Sequence, residues 1–176
     1  MEEGSMDARS PLSYVGGALQ QVAFVVKDLA AAQEFFNRTM GVARFYVIDD
    51  FGLKATEKTF RGRPVEHNFK LALAYSGDTQ IELIQHLSGD TCYKEHLERR
   101  GEGLHHLGFF LYDVEVYQRA LDSLAAAGYS VLMSGRFGTT RYTYFDTEAA
   151  IGSIMEIVYL DSGGKNFMAK IKRGDF

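Results

Sequence analysis

The chain has one cysteine, Cys92. An internal disulfide framework is therefore excluded, and a reducing compartment fits. No CxxC pair or Cys/His cluster occurs, which removes a structural zinc finger. Basic residues are also in short supply, with 19 Lys and Arg against 23 Asp and Glu and a net charge of −4. That leaves no basic footprint for nucleic acid and no polybasic patch for an anionic membrane. No apolar run approaches the roughly 20 residues a transmembrane helix needs. Residues 1–17 read as a polar N-terminal tail without the apolar core of a signal peptide. The expectation is a cytoplasmic protein that takes neither nucleic acid nor membrane as partner.

What is present is core material and a repeat. Thirteen Phe and ten Tyr stand in 176 residues, 46% of them hydrophobic. Such a chain folds rather than staying disordered. Gln21-Val22-Ala23-Phe24-Val25-Val26-Lys27-Asp28 and His106-Leu107-Gly108-Phe109-Phe110-Leu111-Tyr112-Asp113 are both apolar runs ending in Asp. Each precedes a segment with helical spacing: Leu29, Ala32, Phe36 and Met40, then Val114, Tyr117, Leu121 and Leu124. Asp28 and Asp113 stand at N-cap positions, and Gly41 and Gly128 where C′ glycines occur.

Three strand-like runs follow each helix. They are Ala43–Ile48, Phe69–Tyr75 and Thr79–His86, then Ser130–Met133, Tyr142–Phe145 and Ser153–Tyr159. The order β-α-β-β-β thus occurs twice. A first module over 18–88, a linker over 89–103 with a short helix at 93–100, a second module over 104–161 and a C-terminal tail at 162–176 are expected. The polar stretch Asp49–Asn68 reads as a long loop. From pattern alone, true duplication and chance similarity within an ordinary α+β domain both stay open.

Four polar residues interrupt the apolar strands. Gln21 and His106 open the first strand of each half, and Glu82 and Glu156 interrupt the last. Unpaired burial of the two carboxylates would cost several kcal/mol each, of the order known for buried ions. A divalent cation removes that cost. A Glu in an apolar strand also occurs at sheet edges, and a Gln at a strand start is commonly exposed. Residue by residue, ligand and surface roles stay open.

These residues resemble the vicinal oxygen chelate superfamily, which includes glyoxalases, bleomycin resistance proteins and dioxygenases. Gln21–Leu29 is similar to its opening strand motif. Gly103-Leu104-His105-His106-Leu107-Gly108-Phe109 is similar to the second-module opening of methylmalonyl-CoA epimerases. Gln80-Ile81-Glu82-Leu83-Ile84 and Gly152-Ser153-Ile154-Met155-Glu156-Ile157 resemble the two closing strands. The resemblance implies an α+β fold of two βαβββ modules forming a cupped mixed sheet. It places metal ligands at Gln21, Glu82, His106 and Glu156. His106 matches rather than His105, which is expected to face the other way with a structural role.

One imidazole and three oxygen donors suit one divalent metal ion, Zn, Ni, Co or Mn. The set resembles certain glyoxalase I enzymes. Extradiol dioxygenases need a second His where Gln21 stands. Epimerases place His first and Gln second, and carry another carboxylate on the strand that here reads Phe69–Ala74, without an acid. The implied chemistry is isomerase, epimerase or lyase action by proton abstraction next to a carbonyl through an enediolate, with Glu156 as base and Glu82 second. A non-catalytic drug-binding protein and an extradiol-type dioxygenase are the alternatives. The expected partner is a small-molecule substrate, a thioester or 2-oxo compound. Lys70, Arg136 and Arg141 are candidate anion contacts, and Tyr142 and Tyr144 candidate cup-lining residues; surface charge and ordinary core packing are the competing readings. A homodimer is the family default.

Overall fold

A computed structural model describes residues 19–42 and 44–176. The expected tail 1–17 lies outside the described residues. The elements run β1 (Leu19–Val25), α1 (Leu29–Thr39), β2 (Tyr46–Ile48), α2 (Phe51–Lys54), β3 (Thr56–Phe60), β4 (Arg63–Pro64), β5 (His67–Ser76), β6 (Thr79–Gly89), α3 (Cys92–Arg100), β7 (Gly103–Leu111), α4 (Val114–Ala126), β8 (Val131–Phe137), β9 (Thr140–Phe145), α5 (Glu148–Ile151), β10 (Ile154–Tyr159) and α6 (Ser162–Arg173).

Both helices after the first strands start as their sequences dictate. The Asp28 carboxylate accepts from the Ala31 N–H, and that of Asp113 from Glu115 and Val116 N–H. These bonds satisfy donors that a helix start leaves orphaned. Gly41 and Gly128 hold φ of 65° and 89°, a region costly for other residues. The α1 stripe buries Leu29 and Phe36, whereas Met40, at the C-cap, stays exposed. Each fully buried side chain of this size stabilises the fold by ~1.5–3 kcal/mol.

Among the described residues, ten strands form one sheet in the order β2-β5-β6-β1-β7-β10-β9-β8-β3-β4. Two four-stranded modules meet where β1 pairs antiparallel with β7. Within each module the first strand lies parallel to the last, β1 to β6 and β7 to β10. Alternation sends one side of every strand outward. Outward residues Ala72, Ala74, Ile81 and Leu83 pack with α1, and Leu111, Phe145 and Ile157 with α4. The other face carries Ala23, Val25, Phe69, Leu71, Ile84, Met133, Tyr142, Tyr144 and Ile154, which enclose Tyr93 of α3.

The stretch 49–68, expected as a loop, is a structured strap. β2 and β3 are eight strand spacings apart in the sheet order, which on a flat sheet is ~38 Å at ~4.8 Å per spacing. Only residues 49–55 join them, a reach of at most ~29 Å when extended, and four of these form α2. The sheet must therefore curl into a cup, and the strap ties its two ends together. β3 pairs with β8 through Phe60–Met133, Thr59–Ser134 and Thr56–Arg136. Phe51 stacks on Phe137 with centroids 4.4 Å apart. Gly52 lies so close to β5 that a Cβ there would sit 2.6 Å from Asn68 Cα. Polar composition hid this element because β3 is only partly covered.

The stretch 162–176, expected as a tail, carries helix α6, which starts at Asp161 and packs Met168 against Phe110, Val158 and Leu160. Among the described residues no helix is long and apolar enough to cross a membrane.

Candidate metal centre

The residues that break the apolar pattern all point into the cup. Gln21 precedes Ala23 and Val25 on the inner face of β1, and Glu82 precedes Ile84 on β6. His106 lies opposite Ala23, and Glu156 stands between Ile154 and Val158 on β10. Their exposures are 4% for Gln21, 5% for Glu82, 0% for His106 and 5% for Glu156. The structure brings together all four side chains that the sequence singled out.

Their geometry centres on one nitrogen. His106 Nε2 lies 3.2 Å from Glu82 Oε2, 3.2 Å from Glu156 Oε2 and 3.3 Å from Gln21 Oε1. A ring nitrogen carries one proton at most, so it cannot serve three acceptors. Glu82 Oε2 is buried and, although it lies 3.2 Å from Nε2, has no hydrogen-bond partner of good geometry. Buried polar atoms are normally satisfied, and one left over calls for an explanation. Glu82, His106 and Glu156 offer ligand atoms all within 4.8 Å of one another. A cluster of this composition fits a divalent cation.

Backbone choices make room for the cluster. Gly108 faces Gln21 across β1 and β7. A Cβ on Gly108 would collide with Gln21 Oε1 and lie 2.8 Å from Gln21 Cβ. Glycine there lets the amide lie flat across the neighbouring strand toward His106.

Charge is crowded in this cluster. Burial raises the Glu82 carboxyl above its usual range; His106 opposes this and Glu156 adds to it. Burial by itself would lower His106, but the Glu156 and Glu82 carboxylates outweigh it and lift the imidazole to about 9. A proton and a cation would compete for this nitrogen.

His105 does not face the other way. The register steps from Ala23–His106 to Phe24–Leu104, leaving His105 as the extra residue of a β-bulge. A bulge re-aims side chains that simple alternation would separate. His105 is thereby buried inside the cup, its ring 5.0 Å from Tyr93. His105 Nδ1 lies 2.9 Å from His106 Nδ1, and burial, then His106 and His96, hold His105 well below its ordinary pKa, so it is neutral. A neutral His105 accepts from His106 Nδ1–H, which leaves His106 Nε2 to face the oxygens.

Other expected positions fall as follows. Tyr142 and Tyr144 line the cup; Tyr144 bonds Tyr93 through their hydroxyls at 2.7 Å. The Tyr142 hydroxyl is buried without a partner and lies over Gly135. Lys70 pairs with Asp49 and Arg136 with Glu57 at the surface. By alternation the inward positions of β5 are His67, Phe69, Leu71 and Leu73, none of them a carboxylate. Sequence reasoning missed Gln80, which is fully buried and donates to Tyr75 Oη and Met168 Sδ while accepting from Gln21 Nε2. Its place two residues before Glu82 was the available signal.

A family profile described as the Glyoxalase/Bleomycin resistance protein/Dioxygenase superfamily matches residues 20–145. The chain belongs to this superfamily, whose enzymes commonly use a divalent metal. Among solved structures it is similar to methylmalonyl-CoA epimerase from Mycobacterium tuberculosis, with 21% identity, TM-score 0.59, and coverage of 88% of this chain and 92% of that one. A variant of the Streptomyces coelicolor methylmalonyl-CoA epimerase in complex with 2-nitronate-propionyl-CoA matches at 22% identity and TM-score 0.58, over 81% and 96%. A hypothetical protein from Bacillus halodurans C-125 matches at 16% identity and TM-score 0.54, over 81% and 93%. At these identities the likeness shows the fold. No curated protein matches the sequence significantly.

Proposed function

We propose that this protein is a metal-dependent isomerase, epimerase or lyase that removes a proton next to a substrate carbonyl. The observation carrying this reading is the convergence of Gln21 Oε1, Glu82 Oε2 and Glu156 Oε2 on His106 Nε2 in a buried cup. Gln21, Glu82, His106 and Glu156 are the proposed ligands of one divalent ion, Zn, Ni, Co or Mn. A bound ion supplies Lewis acidity, which lowers the cost of negative charge on substrate carbonyl oxygens.

This chain's residues supply the rest. Glu156 takes the proton from the carbon next to the carbonyl and, in an isomerisation, returns it to the neighbouring carbon; Glu82 is the second candidate base. Phe51 of the strap and Tyr142 and Tyr144 of β9 keep the cup apolar and exclude water. A dry surrounding strengthens every charge interaction inside it. A thioester substrate is supported by the CoA-linked ligand of the Streptomyces relative. Epimerisation needs a second group to deliver the proton to the opposite face; β5 presents no carboxylate inward, which leaves Glu82 for that role and favours one-base transfer to the neighbouring carbon.

The test measures metal content and solvent exchange together. Protein purified without chelator should hold about one divalent ion per chain, and chelator should lower its Tm by linkage. Incubated with methylmalonyl-CoA or with a thiol adduct of a 2-oxoaldehyde in deuterium oxide, it should incorporate deuterium next to the carbonyl. Metal-free protein of unchanged stability sinks the site. Metal without exchange of any thioester or 2-oxo compound transfers the fold to its drug-binding role.

A further inference from the structure

Gln21 is an unusual member of the donor set, because an amide offers an oxygen on one side and two N–H donors on the other. Turned over, it would present N–H groups to a cation and repel it. Something must fix its direction, and the structure contains a chain of bonds that does.

Gln21 Nε2 donates to Gln80 Oε1 at 2.7 Å. Gln80 Nε2 donates to Tyr75 Oη at 3.0 Å and to Met168 Sδ at 3.2 Å. Gln80 is fully buried, so water offers it no alternative. The Tyr75 hydroxyl can donate or accept and imposes no direction. The Met168 thioether only accepts. The side of Gln80 that faces Met168 must therefore be its NH2 group. Its oxygen then faces Gln21, which must answer with its own NH2, and Gln21 Oε1 is left pointing at His106 Nε2. Polarity is set at one end of the chain and delivered at the other.

We infer that Gln80, locked by Met168 of α6, is the positioning residue that makes Gln21 an oxygen donor to the metal centre. The inference rests on the metal reading proposed above and gives the C-terminal helix, which lies beyond the matched family region, a role in it. In the second module the residue equivalent to Gln80 is Ile154, since Gln80 pairs with Gln21 as Ile154 pairs with His106. There the neighbouring support comes from His105 instead.

The experiment is a double-mutant cycle on zinc affinity, read by competition with a chromophoric chelator. Gln80→Met keeps the volume and removes the acceptor for Gln21. It should weaken zinc binding by about 10–100-fold, the usual effect of losing an outer-shell partner. Gln21→Ala should weaken it as well, and adding Gln80→Met to Gln21→Ala should cost nothing further, because residues acting through one another are non-additive. The visible spectrum of the cobalt-loaded Gln80→Met protein should match that of Gln21→Ala. Gln80→Glu, which keeps the acceptor, should restore both affinity and spectrum. Met168→Leu provides a second route if Gln80→Met does not fold; its smaller loss of affinity should likewise vanish in the Gln21→Ala background. Unchanged affinity in Gln80→Met, or losses that multiply in the double variant, overturns the inference. Wild-type protein without tight zinc binding fails at the first titration and overturns the metal reading itself.

Discussion

The two modules place their proposed donors at equivalent points of the sheet and support them differently. In the first, Gln21 pairs with Gln80, and Ala23 with Glu82. In the second, His106 pairs with Ile154, and Gly108 with Glu156. Each module thus offers a first-strand donor and, opposite the position two residues on, a carboxylate. The first-strand donors differ in kind, amide against imidazole, and so do their supports. A bulge brings His105 beside His106, whereas Gln21 is held by the straight neighbour Gln80. Symmetric strands fix where the proposed ligands stand; unsymmetric second partners fix which atom each presents.

The largest effect should separate the two carboxylates. Glu156→Gln keeps an oxygen for the metal and loses the base, so turnover should fall by ~10²–10⁴-fold with metal content largely retained. Deuterium wash-in next to the substrate carbonyl is the readout. Loss of exchange in Glu82→Gln instead would move the base to the first module.

Next come the first-strand donors. His106→Ala should cost zinc affinity more than Gln21→Ala, because the imidazole is the softer and more basic donor. His105→Ala should cost about 10–100-fold as an outer-shell partner. Competition titrations rank the three, and His105→Ala proving worst would make His105 the ligand.

Gly108→Ala tests the backbone difference. Ala23 occupies the equivalent point and is buried without trouble, whereas a Cβ on Gly108 strikes Gln21 Oε1. Overpacking of this kind costs ~1–3 kcal/mol, and thermal unfolding of the metal-free protein should show a lower Tm. An unchanged Tm would mean that Gln21 moves aside freely.

Metal-free protein should also lose stability in alkali. The folded pKa of His106, about 9, lies above the ordinary 6.5. Its contribution is fully present below 6.5 and is lost as pH rises through 9. His106→Gln, which makes the two modules alike, should flatten Tm over that range. On the acid side His67 works in the opposite sense. Burial lowers it to about 4, so stability is lost as pH falls from 6.5 toward 4. A metal-free Tm that rises from pH 7 to 9 would contradict the ion pairing around His106.

The smallest effect concerns Tyr142, whose buried hydroxyl has no partner. Tyr142→Phe should leave stability unchanged or raise it by up to about 1 kcal/mol. A loss in chemical denaturation would show that the hydroxyl is bonded in solution.

Much of this protein is written in local chemistry. Asp28 and Asp113 begin helices because a short carboxylate reaches its own first turn, whatever the rest of the chain does. Alternation put Gln21 on the face of Ala23 and Val25, and Glu156 on the face of Ile154 and Val158. The four polar breaks in apolar strands were visible for that reason. What local rules could not supply were long-range partners. The strap at 49–68 reads as a loop until β8 pairs with its backbone, because its own side chains bury little. The bulge that turns His105 inward depends on the offset between β1 and β7, a property of two strands 80 residues apart. The direction of the Gln21 amide is settled by Met168, on a helix at the other end of the chain. Sequence determined which residues had reason to be buried together, since periodicity is local. Tertiary structure decided which atoms they present, since hydrogen-bond polarity is fixed only when every buried donor has found its acceptor.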